Sequence, residues 1–577
     1  MTRFLKIAAA LIVLHIVAMT AIGVAINVML DNLDEDGMRG GLAGRLPVDV
    51  VIGDGGLDLV QWMLFRPTLS LTQIRVANPD GFSAEEPLAT LDEASLRADL
   101  IPLLSDRRVV VRSIELRRPV LHVQRNAAGE SNVEQLVEAL RADASTPDSP
   151  ASEDGTKKKT PVALTVESLT ITEGEIILPP ARPGLEEVRI EDYVLSLSDC
   201  ASDSTCTLRS EAASFGGAIQ ARIEGRAGPF ERTAAAPFSG KLYAEAFPAQ
   251  LPENLRSEIF GELLAAPGDD SRIELDVDVE GRQLESLEGS GQLSIDELWL
   301  GRPDRERLPL SGQTPLKLTG RNPLGALSFE VSLPEAVLKL GEGKWSGDAE
   351  LHYARPVFRG VSTGRIEGVD VNQFMSAFTD NRDEVFGLLA VRDYQLAFRG
   401  QSAGQMRSSL NGSGRLGIEK GRLAAFDMFA TVEQHVQKLL GGEQAVEGET
   451  EFLRLASDFE IRDERVFTPD LALETSSGII SGAGSFSFGG ALDYALTMEV
   501  DAPIAVSWGG TKIIDPEEQV SLPVTVRGSF SDPKVRPDVS SMAIQQAVKT
   551  GLSLLESLLG NREEDVESEA PAPQPTP

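Results

Sequence analysis

Strict alternation of aliphatic and acidic side chains marks Ile273-Glu274-Leu275-Asp276-Val277-Asp278-Val279-Glu280. Because successive side chains of a strand point to opposite faces, this stretch predicts a β-strand with one apolar face and one wetted face. Similar runs recur about every ten residues, and turns rich in Gly, Asn and Asp separate them. The sequence therefore predicts a mainly β fold, with a long, curled antiparallel sheet and a few short helices.

The stretch from Ile7 to Leu30 contains no Asp, Glu, Lys or Arg. At ~1.5 Å per residue a helix of this length spans about 36 Å, which is enough to cross a bilayer core. Arg3 and Lys6 precede the stretch and acidic residues follow it, so the positive-inside rule predicts a cytoplasmic N-terminus. We therefore expect a single-pass membrane protein whose body lies on the far side of the membrane.

The chain carries 88 acidic and 54 basic residues, which gives a formal net charge of −34. Nucleic-acid binding needs clustered Lys and Arg, so this charge excludes nucleic acid as a partner. Cys200 and Cys206 are close enough in sequence to form a small disulfide loop in an oxidising compartment. With four histidines in the whole chain and no calcium-loop spacing, we expect no metal, no cofactor and no catalytic residue.

Changes in composition and period divide the chain into eight predicted segments. The capping box Ser131-Asn132-Val133-Glu134 opens an amphipathic helix, and apolar positions from Ile544 to Leu559 mark another near the C-terminus. The segments are a cytoplasmic stub 1–6, a transmembrane anchor 7–30, an N-terminal β/α region 31–142, a disordered linker 143–160, a middle β-groove region 161–367, a C-terminal β region 368–537, an amphipathic helix 538–560 and a disordered acidic and Pro-rich tail 561–577.

Two short motifs imitate catalytic signatures. Gly400-Gln401-Ser402-Ala403-Gly404 matches the nucleophile-elbow pattern, but that chemistry needs a parallel α/β sheet and a histidine that reaches the serine. The only later histidine, His435, falls in an ordinary helical pattern, so a Gly-rich turn is favoured. Gly341-Glu342-Gly343-Lys344 resembles part of a phosphate loop, but Trp345 replaces the required Ser or Thr and a hairpin turn explains it better. We interpret the chain as a non-enzyme.

The apolar faces of the strands leave two interpretations open. They could pack against each other, as in stacked sandwiches, or they could line a trough for the acyl chains of lipids. Aromatic residues make up 5% of the chain, which is few for several packed cores, and the predicted anchor places lipid nearby, so we favour the trough. The predicted lining residues are Leu275, Val277, Val279, Leu316, Leu318, Phe329, Val331, Leu396, Phe398, Leu496 and Met498.

Two regions of the chain resemble segments of the AsmA family. The stretch Leu71–Ser83 is similar to the family's L-x-x-V-x-L-x-N-P-x-G-F-S segment, and Gly129–Asn132 resembles its G-x-x-N stretch, with Val133 in place of the usual tryptophan. The other similar segments are Arg112–Leu116, Gly368–Asn372, Leu410–Gly414, Lys420–Leu423, Phe426–Met428 and Asp532–Pro537.

The resemblance implies a bacterial inner-membrane anchor and a periplasmic body built as a repeating β-groove, related to that of the TamB-type bridge proteins. It implies that the groove shelters phospholipids and contributes to lipid transport between the two membranes and to outer-membrane homeostasis. Phospholipids are the expected partners, and other envelope proteins remain open as partners. The alternative is a non-catalytic structural or assembly factor for outer-membrane proteins or envelope complexes, in which the apolar faces are simply packed.

Overall fold

The computed structural model describes most of the chain between residues 48 and 537. The described residues are 48–58, 61, 65–99, 101–102, 108–126, 130–133, 135–136, 163–179, 187–200, 205–228, 237–251, 270–282, 286–301, 307–321, 328–354, 357–378, 383–424, 450–476, 478–500, 507–508, 511–512 and 520–537.

The fold is mainly β, and the chain forms two compact units, residues 1–365 with 395–409 and residues 366–394 with 410–577. The first unit contains β1 (Val50–Leu57), β2 (Thr68–Val76), β3 (Ala89–Asp99), β4 (Arg108–His122), β5 (Ala163–Val166), β6 (Ser168–Leu178), β7 (Val188–Ser198), β8 (Cys206–Ser214), β9 (Ile219–Ala227), β10 (Pro237–Ala246), the short 3-10 helix η1 (Pro248–Gln250), β11 (Arg272–Arg282), β12 (Ser286–Leu300), β13 (Leu308–Arg321), β14 (Ser328–Leu340) and β15 (Gly343–Ala354).

Two long strands have residues in both units, and these are β16 (Val357–Asp370) and β17 (Val385–Gly400). Helix α1 (Val371–Phe378) belongs to the second unit and helix α2 (Ala403–Ser408) to the first. The remaining strands of the second unit are β18 (Asn411–Leu423), β19 (Thr450–Arg462), β20 (Arg465–Glu474), β21 (Gly478–Ser487), β22 (Ala491–Val500), β23 (Ser507–Trp508), β24 (Thr511–Lys512), β25 (Val520–Ser529) and β26 (Pro533–Pro537).

In the first unit the ladder of paired strands follows the order of the sequence from β1 to β15. Most pairs are antiparallel, as the alternation predicts. The exception is β4, because β5 and β6 both pair with it in parallel, so the expectation of a purely antiparallel sheet is wrong here. Residues 123–162 separate β4 from β5, which is long enough for the crossover that a parallel pair needs.

Alternate side chains are buried on one face of this sheet, which we call the inner face. Strand β11 illustrates it, because Val277 and Val279 are buried while Asp276 and Asp278 are exposed. Burial of such side chains stabilises the fold by ~25 cal/mol per Å² of apolar surface removed from water. The resulting apolar core of the first unit extends from the start of β3 to β16.

In the second unit β18 to β22 pair antiparallel in chain order, and β25 and β26 continue the ladder. Strands β23 and β24 pair with each other in a separate two-stranded sheet. Helix α1 is held to the start of β17 by Asn372, whose side chain exchanges hydrogen bonds of 2.8 and 3.2 Å with Asp383. Buried Leu496 and Met498 give β22 the same alternation as the strands of the first unit.

Three sequence motifs form local structure. Ser402 is the N-cap of α2, and its hydroxyl accepts a hydrogen bond from the backbone N–H of Gln405 at 3.3 Å. Gly341, with φ of 61°, forms the hairpin turn between β14 and β15. The hydroxyl of Ser131 accepts a hydrogen bond from the N–H of Val133 at 3.1 Å, where the capping box predicts that a helix begins.

Several predicted segments lie outside the described residues. They are the stub 1–6, the anchor 7–30, the linker 143–160, the helix 538–560, the tail 561–577 and the helical stretch around His435. Among the residues that the structure does describe, no helix combines the length and the apolar character that a bilayer crossing requires.

Candidate functional site

The register of the strands aligns the inner-face side chains of the first unit in rows that run across the sheet. We number two of these rows. Row 1 crosses the ladder from β4 to β13 and contains Leu116, Ile171, Leu195, Ser210, Ile223, Leu242, Val277, Gly291 and Leu316. Row 2 runs from β4 to β15 and contains Ile114, Leu169, Leu197, Leu208, Gly225, Gly240, Val279, Gly289, Leu318, Val331 and Leu351.

Seven of the eleven predicted lining residues lie together on this inner face. Val277 and Leu316 share row 1, whereas Val279, Leu318 and Val331 share row 2. Of these five, Leu318 is half-buried against the core and the others are buried. The remaining two of the seven, both buried, are Leu275 and Phe329. That this face binds lipid stays a prediction.

The other four predicted residues are more widely distributed. Leu396 and Phe398 belong to the first unit and are half-buried on β17. The ring of Phe398 lies so close to Gly360 of β16 that a Cβ at Gly360 would meet it at 2.3 Å. Leu496 and Met498 are buried in the second unit. The predicted lining therefore consists of two sets, one in each unit.

The inner face is covered in this structure. Val277 is 1% exposed, and Leu195 and Leu208 in the same part of the sheet are as deeply buried. Acyl chains could reach these side chains only if the elements that cover the face moved apart.

Tyr193 and Ser210 are buried polar residues of the inner face that the sequence did not single out. Tyr193 is 3% exposed and Ser210 is 6% exposed, on the neighbouring strands β7 and β8. Burial raises the pKa of Tyr193 well above its usual range, so its hydroxyl stays protonated, although Ser210 acts in the opposite direction. Tyr193 has the same parity as Leu195 and Leu197, so the two-residue period contained the signal that it points inward.

Ion pairs on the outside of the sheet join strands that are far apart in sequence. Arg118 of β4 pairs with Asp92 at 3.4 Å and with Glu173 at 2.7 Å. Arg112 pairs with the buried Asp99 at 3.1 Å and with Glu167, next to the break between β5 and β6, at 2.8 Å. These arginines lie where β4 meets its parallel neighbours, so they stabilise the pairing that the sequence did not predict.

The asparagines of the two N-terminal motifs hold a loop at the end of the sheet. The Asn78 side chain donates to the carbonyls of Ser83 and Glu86 at 2.7 and 2.6 Å. The buried Asn132 donates to the Asn78 side chain at 2.8 Å. Both motifs therefore have a structural role, because their asparagines hold this loop in place.

A cavity of about 390 Å³ lies beside this loop. Glu86, His122 and Glu187 are among its lining residues. Within the described parts of the chain, no group of three or more His, Cys, Asp or Glu side chains is arranged to hold a metal ion.

A disulfide joins Cys200 and Cys206. Cys206 begins β8 and is completely buried, while Cys200 packs against the core from the segment that follows β7. The bridge therefore ties together the ends of the two strands that carry Tyr193 and Ser210.

Comparison with known proteins gives one family match. No curated protein and no solved structure matches the chain. The model of the AsmA family matches residues 1–229, a region that includes the asparagine network and strands β1 to β9. The match ends before the C-terminal segments that resemble the family, so that part of the resemblance stays a prediction. Residues 1–229 therefore match the AsmA family, as the motifs around Asn78 and Asn132 indicated.

Proposed function

We propose that the inner face of the first unit shelters the acyl chains of phospholipids, and that the chain thereby contributes to lipid transport between membranes and to outer-membrane homeostasis. The observation that carries this proposal is the continuity of rows 1 and 2 across the ladder from β4 to β13. A separate packed core for each few strands would interrupt such rows. A continuous apolar face offers an acyl chain the same surroundings along its whole length.

The energy of burial is sufficient for such binding without a headgroup site. About 14 methylenes at ~0.8 kcal/mol each gain roughly 11 kcal/mol for one buried chain. Immobilising the lipid and moving the covering elements away from the face oppose this gain. The balance suits a carrier, because a lipid that bound with the full burial energy would leave too slowly.

The same proposal places the body in the periplasm, with residues 7–30 as the inner-membrane anchor and the N-terminus in the cytoplasm. The Cys200–Cys206 disulfide supports an oxidising compartment. The match of residues 1–229 to the AsmA family also supports this assignment.

The test uses the full chain, extracted in detergent and measured by native mass spectrometry for retained phospholipids. Leu318→Asp introduces a carboxylate at a half-buried position of row 2, so we expect a folded protein that retains several-fold less phospholipid. Val277→Asp tests the centre of row 1, at a higher risk of unfolding. The matched control is Ser290→Asp, because Ser290 is exposed on the strand beside Val277.

The result that contradicts the proposal is equal lipid retention in wild type, Leu318→Asp and Ser290→Asp. Circular dichroism on each variant separates loss of binding from loss of fold. Lipids that bind to the anchor contribute equally to all variants, so only the difference between variants counts.

A second candidate function is favoured by the edge strand β1. Val51 is 62% exposed and Ile52 is 40% exposed, and among the described strands only β2 pairs with β1. An apolar edge of this kind is a template for strand addition by another protein. The chain would then act as an assembly factor for envelope proteins. In that case Val51→Lys would reduce co-purification of envelope proteins and leave lipid retention unchanged.

A further inference from the structure

Tyr193 places a hydroxyl among aliphatic side chains of the inner face, and this hydroxyl has no hydrogen-bond partner among the described residues. The residues on its two sides along the inner face are Ile190 and Leu195, both completely buried. Ser210 of β8 lies close enough to lower the pKa of Tyr193 against the effect of burial, yet no hydrogen bond joins the two hydroxyls in this structure. In the part of the chain that the structure describes, the buried phenol is therefore a donor without an acceptor.

A β-bulge in β7 aims Tyr193 inward. Glu191 pairs with Ala213 and Val194 pairs with Glu211, so Asp192 and Tyr193 together lie opposite the single residue Ala212. Such a two-against-one arrangement re-aims a side chain. The backbone of Asp192 has φ of 51°, the left-handed conformation that the bulge requires.

The row that contains Tyr193, which we call row 3, is lined by small residues next to it. Gly174 pairs with Tyr193 on one side. On the other side Ala212 pairs with Ala221, which pairs with Ala244. Row 1 beside it carries isoleucine and leucine at most of these strands. On β8 to β10 row 3 therefore carries smaller side chains than row 1, and Tyr193 lies beside this run of alanines.

A buried hydroxyl without a partner destabilises the folded protein, and such groups are rare in native structures. Phenylalanine would fill the same space without this penalty. The position therefore points to a ligand that brings its own acceptor. Because the surroundings are aliphatic, a charged phosphate could not enter without a large desolvation penalty, whereas a neutral carbonyl attached to an alkyl chain could.

We propose that Tyr193 donates a hydrogen bond to the ester carbonyl of an acyl lipid whose chain lies along the alanines of row 3. This inference rests on the proposed function and deepens it, since it names the ester linkage as the group that the inner face recognises. Burial of the acyl chain provides the binding energy, and the hydrogen bond from Tyr193 determines the position of the ester linkage along the sheet.

The test compares two phospholipids that share headgroup and chain length, one with ester-linked and one with ether-linked chains. The full chain is incubated with equal amounts of both, and native mass spectrometry measures the ratio retained. Wild type should retain the ester form about 3- to 10-fold better, which is the ratio that one neutral hydrogen bond provides. Tyr193→Phe should retain the ester and the ether lipid equally. The amount of each should be close to the amount of ether lipid that the wild-type protein retains.

Tyr243→Phe is the matched control, because this tyrosine lies on the outside of β10 with Arg222 and Lys241 over its ring at 5.0 and 5.7 Å. Tyr243→Phe should retain ester and ether lipid in the same ratio as the wild-type protein. In the lipid-free state Tyr193→Phe should unfold at the same or a higher temperature than wild type, because it removes an unpaired hydroxyl.

Three results would overturn the inference. If wild type retains ester and ether lipids equally, Tyr193 does not read the linkage, although lipid sheltering as such still stands. If wild type retains no more lipid than Leu318→Asp, the proposed function fails and the inference fails with it. A clear fall in the melting temperature of lipid-free Tyr193→Phe would also overturn it, because the hydroxyl would then have a partner in the protein itself.

Discussion

At the scale of single residues, Gly225 and Gly240 determine how closely β9 and β10 approach. The two glycines pair directly, and a Cβ at Gly225 would lie 2.1 Å from the carbonyl oxygen of Ser239. Gly225→Ala therefore forces the two backbones apart in row 2, and we expect a loss of about 1–3 kcal/mol in the free energy of unfolding. Chemical denaturation of the full chain measures this loss.

Gly56→Ala is the control for that substitution, since no atom lies within 4 Å of a Cβ built at Gly56. It should change the free energy of unfolding by well under the amount expected for Gly225→Ala. Equal effects of the two substitutions would mean that the close approach of β9 and β10 does not limit the fold.

The free energy of unfolding should depend on pH through the ionisation of Asp99. Burial raises its pKa, but hydrogen bonds from Arg112 and from the N–H of Ile101 outweigh burial, so the pKa lies below its ordinary value. A carboxyl with a lowered pKa stabilises the fold above its unfolded-state pKa, and this contribution disappears as the pH falls through the folded-state pKa. Asp99→Asn should therefore lower the melting temperature at pH 7, and the difference from wild type should shrink towards pH 3. A constant difference across this range would exclude the pairing with Arg112 as its cause.

At the scale of elements, bulges interrupt the period by which each strand was recognised. Glu173, Asp192, Glu297 and Glu335 all have positive φ and all lie at register shifts between neighbouring strands. At such a site two successive residues point outward, so the inner face changes parity along the strand. This is why Ile190 and Tyr193 are both buried although three positions separate them.

The bulge of β7 can be tested by substitution at Asp192. Glycine accepts a φ of 51° readily, whereas a β-branched residue does not. Asp192→Gly should leave the melting temperature unchanged or raise it slightly, and Asp192→Val should lower the free energy of unfolding by about 1–2 kcal/mol. If valine is tolerated as well as glycine, the left-handed bulge is not needed to aim Tyr193.

The bulges also set the limit of what the sequence could predict. Alternation within each half-strand identified the strands and the inward direction of Val277, Leu316 and Val331, because two residues per period is a property of the backbone itself. An acidic residue in a bulge cannot be told from any other outward residue, so the change in parity was invisible. The parallel pairing of β4 could not be predicted either. The long connection after His122 permits it, but the alternation within a strand does not indicate which other strand it pairs with.

At the scale of the whole molecule, the proposed anchor at residues 7–30 predicts on which side of the membrane the body lies. The uncharged stretch from Ile7 to Leu30, preceded by Arg3 and Lys6, predicts export of everything that follows it. An alkaline phosphatase fused after Pro577 should therefore be active in a Gram-negative host, because that enzyme folds only in an oxidising compartment. A fluorescent protein fused at the same position should not fluoresce, because it would be exported in an unfolded state. The same two reporters fused before Met1 should behave in the opposite way. Fluorescence of the C-terminal fusion would place the inner face in the cytoplasm, where a role in lipid transport between two membranes is not possible. The Cys200–Cys206 disulfide would also be reduced in that compartment.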